Sequence, residues 1–220
     1  LGLFALTAFL TRHPLKLWLA DWRRGKSYPR TSIARSFALT YATFALTGLL
    51  LTAWLAQGVF WWPLLLALPL VGLQLWFDAR NQGRNLIPEI AGAVAMGSVA
   101  ASIGLAGGLE TKPAGGLWLV LAMRSLAAIY YARAQVRRAR GESVNRVAVY
   151  VAQVAALTVL MIGVRMGLLP WLSVVALATL VPLSLYTFSK PPVPARVVGW
   201  TQMAFGLWVV VGTGVGLRLG

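Results

Sequence analysis

The sequence predicts an all-α, polytopic transmembrane helix bundle: seven full spans preceded by the tail of a truncated N-terminal span. Three observations predict it. The 220 residues are 59% apolar and only 11% charged, whereas a soluble domain carries about 25% charged residues. The apolar residues form repeated runs near the length of about 20 that a helix needs to cross a bilayer. The basic residues gather in short segments between those runs. No polar stretch is long enough to fold separately, so residues 1–220 read as a single integral membrane domain. The short alternating segments of a membrane barrel are absent.

Leu1 to Leu10 reads as the end of a span. The stretch from Thr11 to Arg35 is basic, and within it His13 and Pro14 suit a cap and first-turn pair. Leu15, Trp18, Leu19 and Trp22 then recur at helical spacing, which suits a short helix in the headgroup layer. Gly25 closes that helix, and Tyr28-Pro29 leads into the first full span. The full spans fall at about 36–56, 60–77, 87–106, 116–133, 147–166, 170–187 and 197–217.

Lys and Arg concentrate at 11–35, 78–86, 133–146 and 188–196, while the alternate connections and the C-terminus hold only Lys112, Arg165 and Arg218. The positive-inside rule then puts the basic loops in the cytoplasm and the C-terminus outside. Trp54, Trp61, Trp62, Trp118 and Trp171 cluster towards the outer ends, as an aromatic belt does. Pro69 and Pro182 fall inside spans, where neighbouring helices can compensate a kink. The span at 87–106 carries Ala93, Gly97 and Ala101, and also Ser98 and Ser102, at four-residue spacing. Such spacing lets backbones approach closely and places that helix at the bundle centre. No clear internal repeat is visible.

The net charge of +15 does not call for nucleic acid, because its distribution follows the loops. The absence of cysteine excludes disulfides and thiolate chemistry. His13 is the only histidine, and no phosphate loop or dinucleotide fingerprint occurs.

Two features carry a functional expectation. One is the polar hinge FDARNQGRNLIPE between two spans, with Asp78, Arg80, Arg84, Asn85 and Glu89. The other is Arg124 inside the span at 116–133. A guanidinium near the midplane costs about 2.5–3.5 kcal/mol on the gentlest scale, so it should face a partner or a wet cavity. Ser125, Ala128, Tyr131, Ala132 and Gln135 share its side of the helix. Glu89 is the candidate partner, although a carboxylate in a helix's first turn is also favoured for its own sake. Together Arg124, Tyr131, Asp78, Arg80, Arg84, Asn85 and Glu89 are expected to line a cytoplasm-facing cavity for an anionic head group. The plainer reading of Arg124 is a contact to backbone carbonyls that locks helices together. Asp21 reads as a solvated loop residue, and the run Arg133, Arg137, Arg138, Arg140 as topology and phospholipid contact.

The segments RHPLKLWLADWRRGKSYPRT, FDARNQGRNLIPEIAGAVA, LVLAMRSLAAIYYARAQVRRARG and VVGWTQMAFG resemble the YwiC-like family of bacterial membrane proteins. The resemblance implies a multi-pass protein of the bacterial cytoplasmic membrane with no assigned activity. In architecture the chain is more distantly similar to UbiA-type prenyltransferases. Those enzymes hold a diphosphate through magnesium with two aspartate-rich motifs. Here the corresponding loops offer only Asp21 and Glu142, so no cofactor, and magnesium in particular, is expected. The expected partners are membrane lipids and, in the alternative of a larger assembly, other membrane subunits. The alternatives are a non-catalytic subunit of a larger respiratory or photosynthetic membrane complex and, behind it, a small-molecule transporter.

Overall fold

A computed structural model of the chain describes residues 1–26, 28–56 and 59–219. Among these residues there are nine helices and no strand: α1 (Gly2–Arg23), α2 (Pro29–Leu55), α3 (Trp62–Ala79), α4 (Leu86–Ala106), α5 (Thr111–Ala139), α6 (Arg146–Arg165), α7 (Trp171–Ala178), α8 (Leu180–Ser189) and α9 (Ala195–Leu219). With α7 and α8 taken as one broken crossing, seven helices are long and apolar enough to cross a membrane, α2 to α9. They are the seven spans expected from the apolar runs. The chain forms two compact units, Leu1–Glu110 and Thr111–Gly220, where the sequence reads as a single domain.

Unit 1 starts with an antiparallel hairpin of α1 and α2. The Leu1 backbone nitrogen donates to Thr52 Oγ1 at 2.9 Å, and at the other end Thr31 Oγ1 donates to Asp21 Oδ2 at 2.7 Å. One turn in from the Leu1 end, a Cβ on Gly48 would lie 3.1 Å from the Phe4 backbone nitrogen, so there the two helices touch almost backbone to backbone. Here the structure departs from the sequence reading. The span tail and the headgroup helix are one continuous helix of 22 residues. Pro14 lies inside it, and His13 is an interior residue rather than a cap. The proline removes only the helical donor to the Leu10 carbonyl, and packing against α2 along the whole length holds the helix through that loss. The helix ends as expected. Gly25, at φ +62, lets its own N–H reach Trp22 O at 3.0 Å and that of Lys26 reach Asp21 O at 3.2 Å.

Asp21 is not a solvated loop residue. It is 2% exposed and takes a second contact from Arg30 Nη2 at 3.3 Å. The Thr31 hydroxyl holds its carboxyl below the ordinary 3.8; burial opposes this, and Arg30 adds to the lowering. A depressed folded-state value stabilises the protein above the unfolded value, and that contribution is lost as the pH falls through the folded one. Asp21→Asn is therefore expected to lower the thermal midpoint near neutral pH. The gap to the parent should close as the pH is taken below about 4. A gap that stays constant through that range would show that the charge contributes nothing.

α3 and α4 form the second pair of unit 1, and both also reach α1. In α4, Ala91, Ala95, Ser98, Ala101, Ser102 and Leu105 are buried along one stripe. Pro69 leaves α3 unbroken. Unit 2 packs α5 on α6 and α9, with α7 between α6 and α9. A Cβ on Gly116 of α5 would overlap the Leu168 carbonyl, and one on Gly163 of α6 would lie 3.2 Å from Leu119 Cδ2. The crossing expected at 170–187 is interrupted at Thr179. Pro182 cannot donate to the Ala178 carbonyl and its ring crowds that turn. In the same turn the Thr179 hydroxyl donates to the Ala176 carbonyl at 2.7 Å.

The two units are built alike, with corresponding positions separated by about half the chain. Gly48 meets α1 where Gly163 meets α5, and Gly92 and Gly206 each lie under a polar side chain from another helix. Asp21-Trp22-Arg23-Arg24 near the end of α1 corresponds to Gln135-Val136-Arg137-Arg138 near the end of α5. Gln74 and Thr187, which follow Pro69 and Pro182 at equal distance, each bind a polar group from the first helix of their own unit. Sequence inspection alone misses this repeat because the matching positions are few and mostly small or polar.

Candidate functional site

The hinge after α3 is a tight turn. Gln82 N donates to Phe77 O at 2.9 Å and Asn81 N to Asp78 O at 3.1 Å. Asn81 adopts φ 57, a left-handed conformation that asparagine tolerates better than most residues. The turn brings Asp78 back against α1. Arg12 Nε donates to Asp78 Oδ2 at 2.6 Å, with the two side chains 36% and 9% exposed. Gln74, its amide oxygen turned to the guanidinium, accepts from Arg12 Nη1 at 2.7 Å and Nη2 at 3.2 Å. Gly92 gives that amide room, since a Cβ there would overlap it. Gly83 lies equally tightly against Asp78 Oδ1. The carboxylate is thus held between α1 and the hinge, and Arg12 is aimed by two acceptors.

Beside this pair is a cleft of about 420 Å³ lined by Arg12, His13, Lys16, Asp78, Asn81 and Arg84 among others. Three permanent cations and one carboxylate leave an excess of positive charge and many N–H donors. Such a set suits a phosphate or carboxylate, above all through arginine's planar fork.

Of the residues expected at the site, the structure puts Asp78 and Arg84 on the cleft wall. Arg80 stacks over the Trp76 ring at 4.0 Å. Asn85 takes the N-cap position of α4 without a side-chain cap bond, and Glu89 is exposed in that helix's first turn. Arg12 and Lys16, which sequence reasoning did not choose, supply two of the three permanent cations of the wall, and His13 lines it between them. The five residues Arg12 to Lys16 carried the signal, hidden by the helix start expected at His13 and Pro14.

Arg124 and Tyr131 are engaged within unit 2. Arg124 Nη2 donates to the Gln202 carbonyl on α9 at 2.9 Å, and Gly206 lies so close beneath that a Cβ would overlap the guanidinium. This is the helix-locking contact. Tyr131 is 2% exposed and donates to Thr187 Oγ1 at 3.0 Å. Gln135 Nε2 donates to the same oxygen at 2.8 Å. Arg138 then spans the end of α8, donating to Gln135 Oε1 and Thr187 O, both at 3.0 Å, and to Lys190 O at 2.8 Å. Its guanidinium also lies 5.2 Å from the Phe188 ring centroid. Arg138 is therefore a cap for a helix end that Pro191 and Pro192 leave without further amide donors.

No curated protein and no solved structure matches the chain. Residues 1–104 match the family model described as YwiC-like protein. The matched stretch runs from Leu1 almost to the end of α4, so the part of the chain that forms the cleft is the part similar to YwiC-like proteins.

Proposed function

We propose that this multi-pass membrane protein binds an anionic lipid head group in the cleft between α1 and the hinge. The observation that carries the reading is the wall of Arg12, Lys16 and Arg84 around a fixed Arg12–Asp78 pair. The corresponding end of unit 2 supports it by contrast. There Arg138 is spent on the carbonyls that end α8, whereas the turn through Asn81 closes α3 with its own backbone, and Arg12, Lys16 and Arg84 line the cleft beside it. In this reading the basic loops face the cytoplasm of a bacterial inner membrane and the C-terminus lies outside, by the charge asymmetry of the loops.

A Lys16→Ala/Arg84→Ala variant tests the reading. Phosphate-bearing lipid retained through purification is counted by native mass spectrometry. Each charge-assisted contact is worth about 1.5–3 kcal/mol, so the double variant should lose at least about tenfold in retention. Arg137→Ala, in the other unit, should retain as the parent does. Equal retention in all three proteins would sink the reading.

A second reading is favoured by Arg124. Its acceptor is a main-chain carbonyl and a glycine makes room for it, which is the arrangement of a packing residue. A non-catalytic subunit of a larger membrane assembly would need nothing more. Stoichiometric membrane partners co-purifying in mild detergent would favour that reading over the first.

A further inference from the structure

The head-group reading leaves the rest of the ligand unspecified, and the structure supplies a place for it. A second hollow, of about 480 Å³, lies between α1 and α2 and is lined by Leu10, Pro14, Leu17, Ile33, Phe37 and Tyr41 among others. Leu10 and His13 line both hollows. α1 is therefore a partition with the basic cleft on one flank and an apolar groove on the other, and His13 stands where they adjoin. Arg30 marks the polar end of the groove, its guanidinium tied to Asp21. The Phe37 and Tyr41 rings, 5.8 Å apart at their centroids, form the far wall. Ile33 and Phe37 are 59% and 51% exposed although they line a hollow.

Length and charge together choose the occupant. From Arg30 to Tyr41 the helix rises about 16 Å, close to one leaflet of a hydrocarbon core about 30 Å thick. A groove of that depth, apolar along its length and adjoining the basic cleft at Leu10 and His13, matches an amphiphile with an anionic head. A partner helix would fill the groove but would not account for the net positive lining of the cleft beside it. We propose that the two hollows form one site for a phosphate-bearing lipid. Its phosphate lies among Arg12, Lys16 and Arg84, and one aliphatic chain passes His13 and runs along Ile33, Phe37 and Tyr41. This rests on the head-group reading and adds the chain.

The test uses the full chain in non-ionic detergent with three probes: hexadecyl phosphate, methyl phosphate and hexadecanol. Bound adducts are followed by native mass spectrometry, and binding by the shift of the thermal midpoint. Ile33→Trp, which fills the groove from an exposed position, should weaken hexadecyl phosphate about tenfold and leave methyl phosphate unchanged. Arg84→Ala should weaken both phosphates. Micelle partitioning is common to parent and variants and cancels. If Ile33→Trp does not fold, Phe37→Ala, which removes a wall of the groove, should give the same selective loss. Unaltered hexadecyl phosphate binding in the groove variant, with methyl phosphate still bound, would overturn the chain and leave the head-group reading standing. Hexadecanol binding as well as hexadecyl phosphate would also overturn it, because the cations would then play no part. Binding of neither phosphate to the parent would remove both proposals together.

Discussion

Gly116→Ala is expected to destabilise unit 2 by about 3 kcal/mol, while Gly115→Ala, one residue earlier, should leave it unchanged or slightly more stable. The contrast is geometric. A Cβ on Gly116 would overlap the Leu168 carbonyl, and what it meets is main chain, which cannot swing aside like a side-chain tip. Relief requires α5 to move away from the segment before α7, and that opens the contacts of Leu169, a buried member of the same core. A Cβ on Gly115 meets nothing within 4 Å, so there the substitution only removes backbone freedom from the unfolded chain. Thermal or chemical unfolding in one detergent compares the two directly. Equal midpoints would show that the backbone approach at Gly116 is not tight.

Arg138→Ala is expected to cost about 2–4 kcal/mol, against less than about 1 kcal/mol for Arg137→Ala. Arg138 donates to one side chain and, counting Phe188 O at 3.4 Å, to three carbonyls at the end of α8. Removing it leaves those carbonyls short of donors and the Gln135 amide oxygen without its guanidinium. Arg137 is exposed and pairs with Glu142 at 2.9 Å, itself 42% exposed. Solvent screens such a pair, and it contributes little. Differential scanning of the two single variants decides the matter. A loss at Arg137 as large as that at Arg138 would mean the carbonyl contacts carry no weight.

The spans were legible because a bilayer imposes a length. Any apolar run of the required size must be a helix, and residue-level detail hardly matters. α1 was harder to read for a related reason. Pro14 is a helix breaker by local rules, and Arg12 and Lys16 cut the apolar run, so its continuity depends on α2 alongside. Asp21 was misread as solvated because its partners Arg30 and Thr31 come together only when the α1–α2 hairpin closes. Asp78 and Arg84 could be picked out because few polar residues interrupt the apolar runs, but the partner of Asp78 was not legible. Arg80, two residues on, lies over Trp76, while the carboxylate reaches back to Arg12. Arg124 was singled out by its cost in hydrocarbon, and that argument cannot tell an anion from a carbonyl, since either satisfies a guanidinium.

The interruption at Thr179 has an electrostatic consequence. Each α-helix carries about half a positive charge at its start and half a negative one at its end. Because α7 stops where α8 begins, a negative tail and a positive head meet inside one crossing and offset each other. The junction therefore sets up little net field of its own for a bound ion to neutralise, unlike a helix end that stands alone.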